Sequence, residues 1–91
     1  MLQFAVQQTD NSGQARTGLL TTAHATVETP VFMPVGTLGA VKGLEAGDVL
    51  EMGFRLILNN AYHLYLRPGH RVVEEMGGLH RFTGWPGALL T

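Results

Sequence analysis

Apolar and polar residues are mixed in the first third of the chain and then give way to short, continuous apolar runs. Residues 2–8 and 17–21 predict two strands, and the polar segment 9–13 between them, Thr-Asp-Asn-Ser-Gly, predicts a tight turn. Residues 22–28 predict a third short strand, because their β-branched side chains suit a pleated surface. The start of the chain is therefore expected to form an antiparallel hairpin or sheet.

The apolar runs in the rest of the chain predict buried strands separated by helices. The predicted strands are residues 31–33, which lie between two prolines, 54–58 and 88–90, with a short extended piece at 80–82. The predicted helices are residues 45–52, 61–66 and 68–76. Proline suits the first position of the last of these helices, and glycines follow the first and the last as terminating residues.

Strands that alternate with helices predict a parallel sheet with right-handed crossovers. The expected fold class is α/β: an N-terminal antiparallel hairpin or sheet, residues 1–28, followed by the first β/α units of an incomplete TIM (β/α)8 barrel, residues 29–91. A flavodoxin-like sheet is the alternative, and the antiparallel start favours the barrel.

The composition indicates that this chain has too few charged residues to cover the surface of a free-standing domain. Charged residues make up 14% of the chain and hydrophobic residues 45%, whereas about 25% charged residues is typical. A small domain needs polar residues to cover its large surface, so we expect further chain to cover part of this one.

Charge, cysteine usage and the lack of long apolar runs bear on the class of function. The net charge is −1 and the six basic residues are scattered without an electrostatic footprint for nucleic acid, so composition alone neither suggests a polyanion partner nor rules one out. Without cysteine there is no disulfide or thiolate metal site in these residues. No basic, apolar leader and no apolar run near the roughly 20 residues of a membrane span is present, so we expect a cytoplasmic protein without a membrane partner.

Asn60, at the end of the predicted strand 54–58, is the strongest candidate for a site residue. Its amide offers two donors and an acceptor, which suit a carboxylate or a purine edge. The alternative is an N-cap for the helix that begins at Ala61, and the two roles are compatible. His63 could bind a metal, but the four histidines show no ligand spacing, so no metal site is expected.

Several segments occur in the order found in one enzyme family. They are Ala15–Gly18 (ARTG), Thr29–Thr37 (TPVFMPVGT), Asn60–Gly69 (NAYHLYLRPG), Gly77–His80 (GGLH) and Leu89–Thr91 (LLT). With them the chain resembles tRNA-guanine transglycosylases, also called queuine tRNA-ribosyltransferases, and the bacterial type is favoured. The resemblance implies a homodimeric TIM barrel with a structural zinc in the full-length protein. It also implies exchange of guanine for a 7-deazaguanine base, preQ1 or queuine, at the wobble position of tRNA.

The resemblance implies chemistry by two aspartates. One attacks the anomeric carbon of the ribose through an oxocarbenium-like transition state, and the other binds the base edge and relays protons. In the family, Leu-Leu-Thr is followed by Asp-Ser-Gly-Gly, so both aspartates are expected beyond Thr91. The chain is then an N-terminal fragment with no catalytic residue, marginally folded and inactive alone. The alternative is a non-catalytic truncated subunit or interaction module of the same family.

Other roles carry over from the resemblance by position. Substrate-binding positions that line the base and ribose pocket are Val35, Leu58 and Asn60, of which Asn60 would orient the base-binding aspartate. Positions near the homodimer contact are Thr37, Lys42, His63, Leu64 and Phe82. Two departures stand out: Asn59-Asn60-Ala61 replaces the usual Gly-Asn-Thr, and Ala46-Gly47 replaces a Pro-Glu that would start a helix.

Overall fold

The N-terminal residues form a three-stranded antiparallel sheet, as predicted. The structure, a computed structural model, describes residues 2–91. The strands are β1 (Gln3–Thr9), β2 (Arg16–Thr21) and β3 (Thr26–Thr29), in the order β1-β2-β3. The turn between β1 and β2 is closed by the Asp10 backbone, whose N–H donates to the Ala15 carbonyl at 2.8 Å.

The third strand is shorter than predicted, because the first half of the segment 22–28 is a turn. The Thr22 hydroxyl accepts hydrogen bonds from the backbone N–H groups of His24 (3.2 Å) and Ala25 (3.1 Å). A threonine side chain that bonds its own backbone two and three residues on favours a turn over a ladder.

The rest of the chain alternates helices with short parallel strands. The elements are α1 (Ala46–Glu51), β4 (Leu56–Leu58), α2 (Ala61–Leu66), α3 (His70–Glu75), α4 (Leu79–Thr83) and β5 (Ala88–Leu90). Strands β4 and β5 are parallel, with Ile57 opposite Leu89. The described residues therefore form a mixed α/β chain, with an antiparallel sheet at the start and parallel pairing after it.

The predicted strand at residues 31–33 is wrong. The parallel pairing occurs further on, where Val35 bridges to Leu58 on the edge of β4 opposite β5. The Leu58 N–H donates to the Pro34 carbonyl at 2.9 Å, and the Gly36 N–H donates to the Leu58 carbonyl at 2.6 Å. A proline has no N–H to give to a ladder but keeps its carbonyl, so the pairing begins at that carbonyl.

The chain around the last two helices also differs from the prediction. Residues 80–82 lie within α4 and are not extended; the Phe82 N–H donates to the Gly78 carbonyl at 3.0 Å. Helix α3 starts two residues later than predicted, because Gly69 at its N-cap has φ 109°, a conformation outside the helix. Helix α1 forms despite its internal glycine, and the Glu45 N–H donates to the Asp48 carboxylate at 2.9 Å.

Two small apolar clusters pack against the two faces of β4. One contains Val27, Leu56 and Ala88, and the other Val49, Ile57 and Trp85. Much apolar surface stays uncovered in the described residues, as at Phe32, which is 70% exposed. Among the described residues, no helix has the length and apolar character needed to cross a membrane.

Candidate functional site

The carboxyl ends of three adjacent parallel segments meet at one edge of the structure. They are the segment through Val35 and the ends of β4 and β5. The Asn59 N–H extends the β4–β5 ladder by donating to the Leu90 carbonyl at 2.7 Å. Because side chains that leave the ends of parallel strands converge, this edge is where the fold can place a binding site.

Asn60 forms the N-cap of α2, with φ −132° and ψ 108°. Its side-chain oxygen Oδ1 accepts from the backbone N–H groups of Tyr62 at 3.0 Å and His63 at 3.4 Å. Both partners are donors, so they occupy the amide oxygen. The amide nitrogen Nδ2 makes no hydrogen bond within residues 2–91. The residue is exposed, so a donor remains available beside the strand ends.

An apolar row lies on the same face of the strands as Asn60. Val35 is opposite Leu58, and Leu58 is opposite Leu90, so the three side chains form a row across the strands. Val35 is 57% exposed, and Asn60 follows Leu58 by two residues, on the same face of an extended chain. An apolar surface beside a hydrogen-bond donor suits a flat heterocycle with a polar edge.

Asn59 points to the opposite face and was not recognised as a functional candidate from the sequence. It is 3% exposed, and both Nδ2 and Oδ1 are buried without a hydrogen-bond partner in the described part of the chain. A Cβ atom at Gly36 would lie 3.3 Å from Oδ1, so the amide occupies the space that the glycine leaves open. The sequence shows an asparagine after an apolar run but not that its amide is buried.

The positions predicted near a dimer contact lie on three elements. Thr37 and Lys42 belong to the loop between Val35 and α1, His63 and Leu64 to α2, and Phe82 to α4. The loop packs against α4, since a Cβ at Gly39 would lie 3.4 Å from the Phe82 ring. Lys42 and His63 are exposed, whereas Leu64 is 5% exposed and contacts its own chain.

The described residues contain no group of three or more histidine, cysteine, aspartate or glutamate side chains able to hold a metal ion. His63 instead packs its ring edge-on against Tyr62, with the ring centroids 5.5 Å apart.

These features define an α/β chain whose parallel strand ends carry an apolar row and an amide donor. Comparison with known proteins identifies the family. The family model for queuine tRNA-ribosyltransferase matches residues 10–91. The chain therefore belongs to the queuine tRNA-ribosyltransferase family.

Curated relatives with that name match almost all of the chain. A queuine tRNA-ribosyltransferase of Roseiflexus sp. is 52% identical over 90 residues, which are 99% of this chain and 22% of the relative. One of Helicobacter pylori is 58% identical over 91 residues, 99% of this chain and 24% of the relative. One of Pelotomaculum thermopropionicum is 56% identical over 90 residues, with the same 99% and 24%. The chain thus spans less than a quarter of the length of these relatives.

Proposed function

We propose that these residues are the N-terminal part of a tRNA-guanine transglycosylase. This pentosyltransferase exchanges guanine for a queuosine-precursor base, preQ1 or queuine, at the wobble position of tRNA. The support is the family match over residues 10–91 together with the small share of the relatives that the chain covers. We assign residues 1–28 to an N-terminal β segment and residues 29–91 to the opening of a TIM barrel in the complete gene product, called here the full-length protein.

The main support from the structure is the hydrogen bonding of the Asn60 side-chain amide. Its oxygen is held by the backbone of α2, and its nitrogen is free on the face of the apolar row. A fixed N–H donor orients a carboxylate, which accepts hydrogen bonds only. In this proposal Asn60 donates to a base-binding aspartate from the segment after Thr91, and Val35 and Leu58 contact the base and ribose.

The barrel proposal is supported by the three parallel segments and by the apolar surface next to them. An apolar hollow of about 490 Å³ lies between the N-terminal sheet and the parallel strands. Its lining includes Leu20, Met33, Leu56 and Leu89. Further parallel strands would cover this hollow. We propose that the structural zinc implied by the resemblance is bound by a later part of the full-length protein.

The homodimer proposal is supported by the exposed aromatic face of α2. Tyr62 is 66% exposed and Tyr65 is 59% exposed. The same helix carries His63 and Leu64, two of the positions predicted near the dimer contact. Exposed aromatic residues at this density are typical of protein contacts. The same face favours the second candidate function, a non-catalytic subunit that docks onto a complete enzyme.

The test is incorporation of labelled guanine into tRNA by the full-length protein and by the 91-residue chain. We expect exchange by the full-length protein and none by the short chain, because the predicted catalytic aspartates lie outside it. A full-length protein that incorporates neither guanine nor preQ1 nor queuine would refute the proposal. Co-elution of the short chain with a complete enzyme, without any change in exchange rate, would favour the second candidate.

A further inference from the structure

The buried side-chain amide of Asn59 makes no hydrogen bond in the structure of residues 2–91. Neither Nδ2 nor Oδ1 is bonded, and the residue is 3% exposed. Only its backbone is used, in the bond to the Leu90 carbonyl. Native proteins rarely leave a buried side-chain amide unpaired, because the group loses its water without compensation. The adjoining Gly36 has no side chain to offer.

The strand register places Thr91 beside Asn59. Leu58 is opposite Leu90, so the next residues along the two strands, Asn59 and Thr91, are also neighbours. Residues opposite each other in a parallel pair point to the same face; Ile57 and Leu89 confirm this, since both pack on the cluster around Trp85. Neighbouring strands lie about 4.8 Å apart, a span that an amide and a hydroxyl can bridge.

The chemistry of the two side chains is complementary. A threonine hydroxyl is one donor and an acceptor, and an asparagine amide presents two donors and an acceptor. Thr91 is exposed and borders a hollow beside α2 and α3, whose lining includes Leu64, Tyr65, His70 and Val73.

We propose that Asn59 is a positioning residue: in the full-length protein, where the chain continues past β5, its buried amide bonds the Thr91 hydroxyl and thereby fixes the direction of that chain. This inference rests on the proposed function, in which the base-binding carboxylate follows Thr91. The bond couples the ends of β4 and β5 on the helix side, while Asn60 faces the base on the other side. Asn59 itself touches neither base nor ribose.

The test compares Asn59→Ala, Thr91→Val, Thr91→Ser and the double variant Asn59→Ala/Thr91→Val in the full-length protein. Asn11→Ala, in the exposed turn after β1, is the matched control. We expect kcat for base exchange to fall about tenfold in Asn59→Ala and in Thr91→Val, with the KM for tRNA unchanged. The double variant should be no slower than either single variant. Thr91→Ser keeps the hydroxyl and should retain the wild-type kcat.

A second readout does not depend on activity. The side-chain amide protons of Asn59 should exchange slowly with solvent in wild type and Thr91→Ser, and at least tenfold faster in Thr91→Val, by NMR. Additive losses of kcat, equal losses in Thr91→Ser, or unchanged amide exchange in Thr91→Val would overturn the inference. A higher melting temperature with unchanged kcat in Asn59→Ala would also overturn it, since removal of an unpartnered amide is favourable. A wild-type protein without exchange activity would refute the proposed function, while the NMR result would still decide the role of Asn59.

Discussion

Two variants of Asn60 separate its role as a helix cap from its role as a hydrogen-bond donor. Asn60→Asp keeps an oxygen for the backbone N–H groups of Tyr62 and His63 and adds a negative charge that the start of α2 favours. It removes the free Nδ2 donor. Asn60→Ala removes both. If the donor holds a carboxylate in the full-length protein, Asn60→Asp places two negative charges together and only the exchange reaction suffers.

The free energy lost when the Asn60 cap is removed follows from the lengths of its two hydrogen bonds. The bond to Tyr62 is 3.0 Å long and the bond to His63 is 3.4 Å, beyond the usual range for N–H···O bonds. One good bond and one weak bond correspond to about 1 kcal/mol for Asn60→Ala, near the middle of the measured range for caps. Helix α2 has six residues and little stability of its own, so the loss is local.

Two assays on the full-length protein read the two roles. Hydrogen exchange at the Leu64 and Arg67 amides, which bond within the helix, should accelerate about fivefold in Asn60→Ala and stay at the wild-type rate in Asn60→Asp. Guanine incorporation should fall at least tenfold in both variants. Asn11→Ala should change neither. Wild-type activity in Asn60→Asp would refute the donor role, and unchanged protection in Asn60→Ala would refute the cap.

Three further variants test other parts of the structure. Gly36→Ala should lower the free energy of unfolding by about 1 kcal/mol in urea titration, because the new Cβ would lie 3.3 Å from Asn59 Oδ1. If Gly36→Ala lowers the free energy of unfolding by the same amount in an Asn59→Gly background, the contact with Asn59 is not the cause. Trp85→Ala should lower the free energy of unfolding by about 3–5 kcal/mol, since Trp85 is 2% exposed and its Nε1 donates to the Ala88 carbonyl at 3.0 Å. An unchanged free energy of unfolding in urea titration would argue against this. Lys42→Glu should dissociate the proposed homodimer of the full-length protein in sedimentation velocity, because it reverses the charge at a proposed contact position, while Lys42→Arg should not. The same sedimentation behaviour in wild type and Lys42→Glu would remove Lys42 from the proposed contact.

Elements with strong local signals were predictable from the sequence. Asp10, Asn11 and Gly13 predict the turn after β1, and the cap residue Asn60 predicts the start of helix α2. The structure confirms both elements. Residues 31–33 carry an apolar run that satisfies a strand pattern, but a strand exists only where a partner pairs with it, and β4 pairs at Val35. Which residue of an apolar run enters the ladder depends on contacts distant in sequence.

Helix α4 shows a second limit of local patterns. The segment 80–82 is short and mixed, so neither periodicity favours a helix. The structure stabilises one through contacts that the pattern does not contain. The His80 Nε2 lies 2.8 Å from the Gly87 carbonyl, and the Thr83 hydroxyl accepts from the Trp85 N–H at 3.2 Å. Both bonds join the helix to the turn that leads into β5.

The two adjacent asparagines show what can and cannot be inferred about the site. Successive residues of an extended chain point to opposite faces, so Asn59 and Asn60 offer their amides to different surroundings. Asn60 has a helix behind it and an exposed face in front, which a cap signal and a strand end together predict. Asn59 lies against Gly36 in a buried layer that forms only when three distant segments pair. The amide that faces the proposed base pocket was therefore predictable from local sequence. The amide that fixes the neighbouring strand became visible only through burial and register, and its partner must come from another strand.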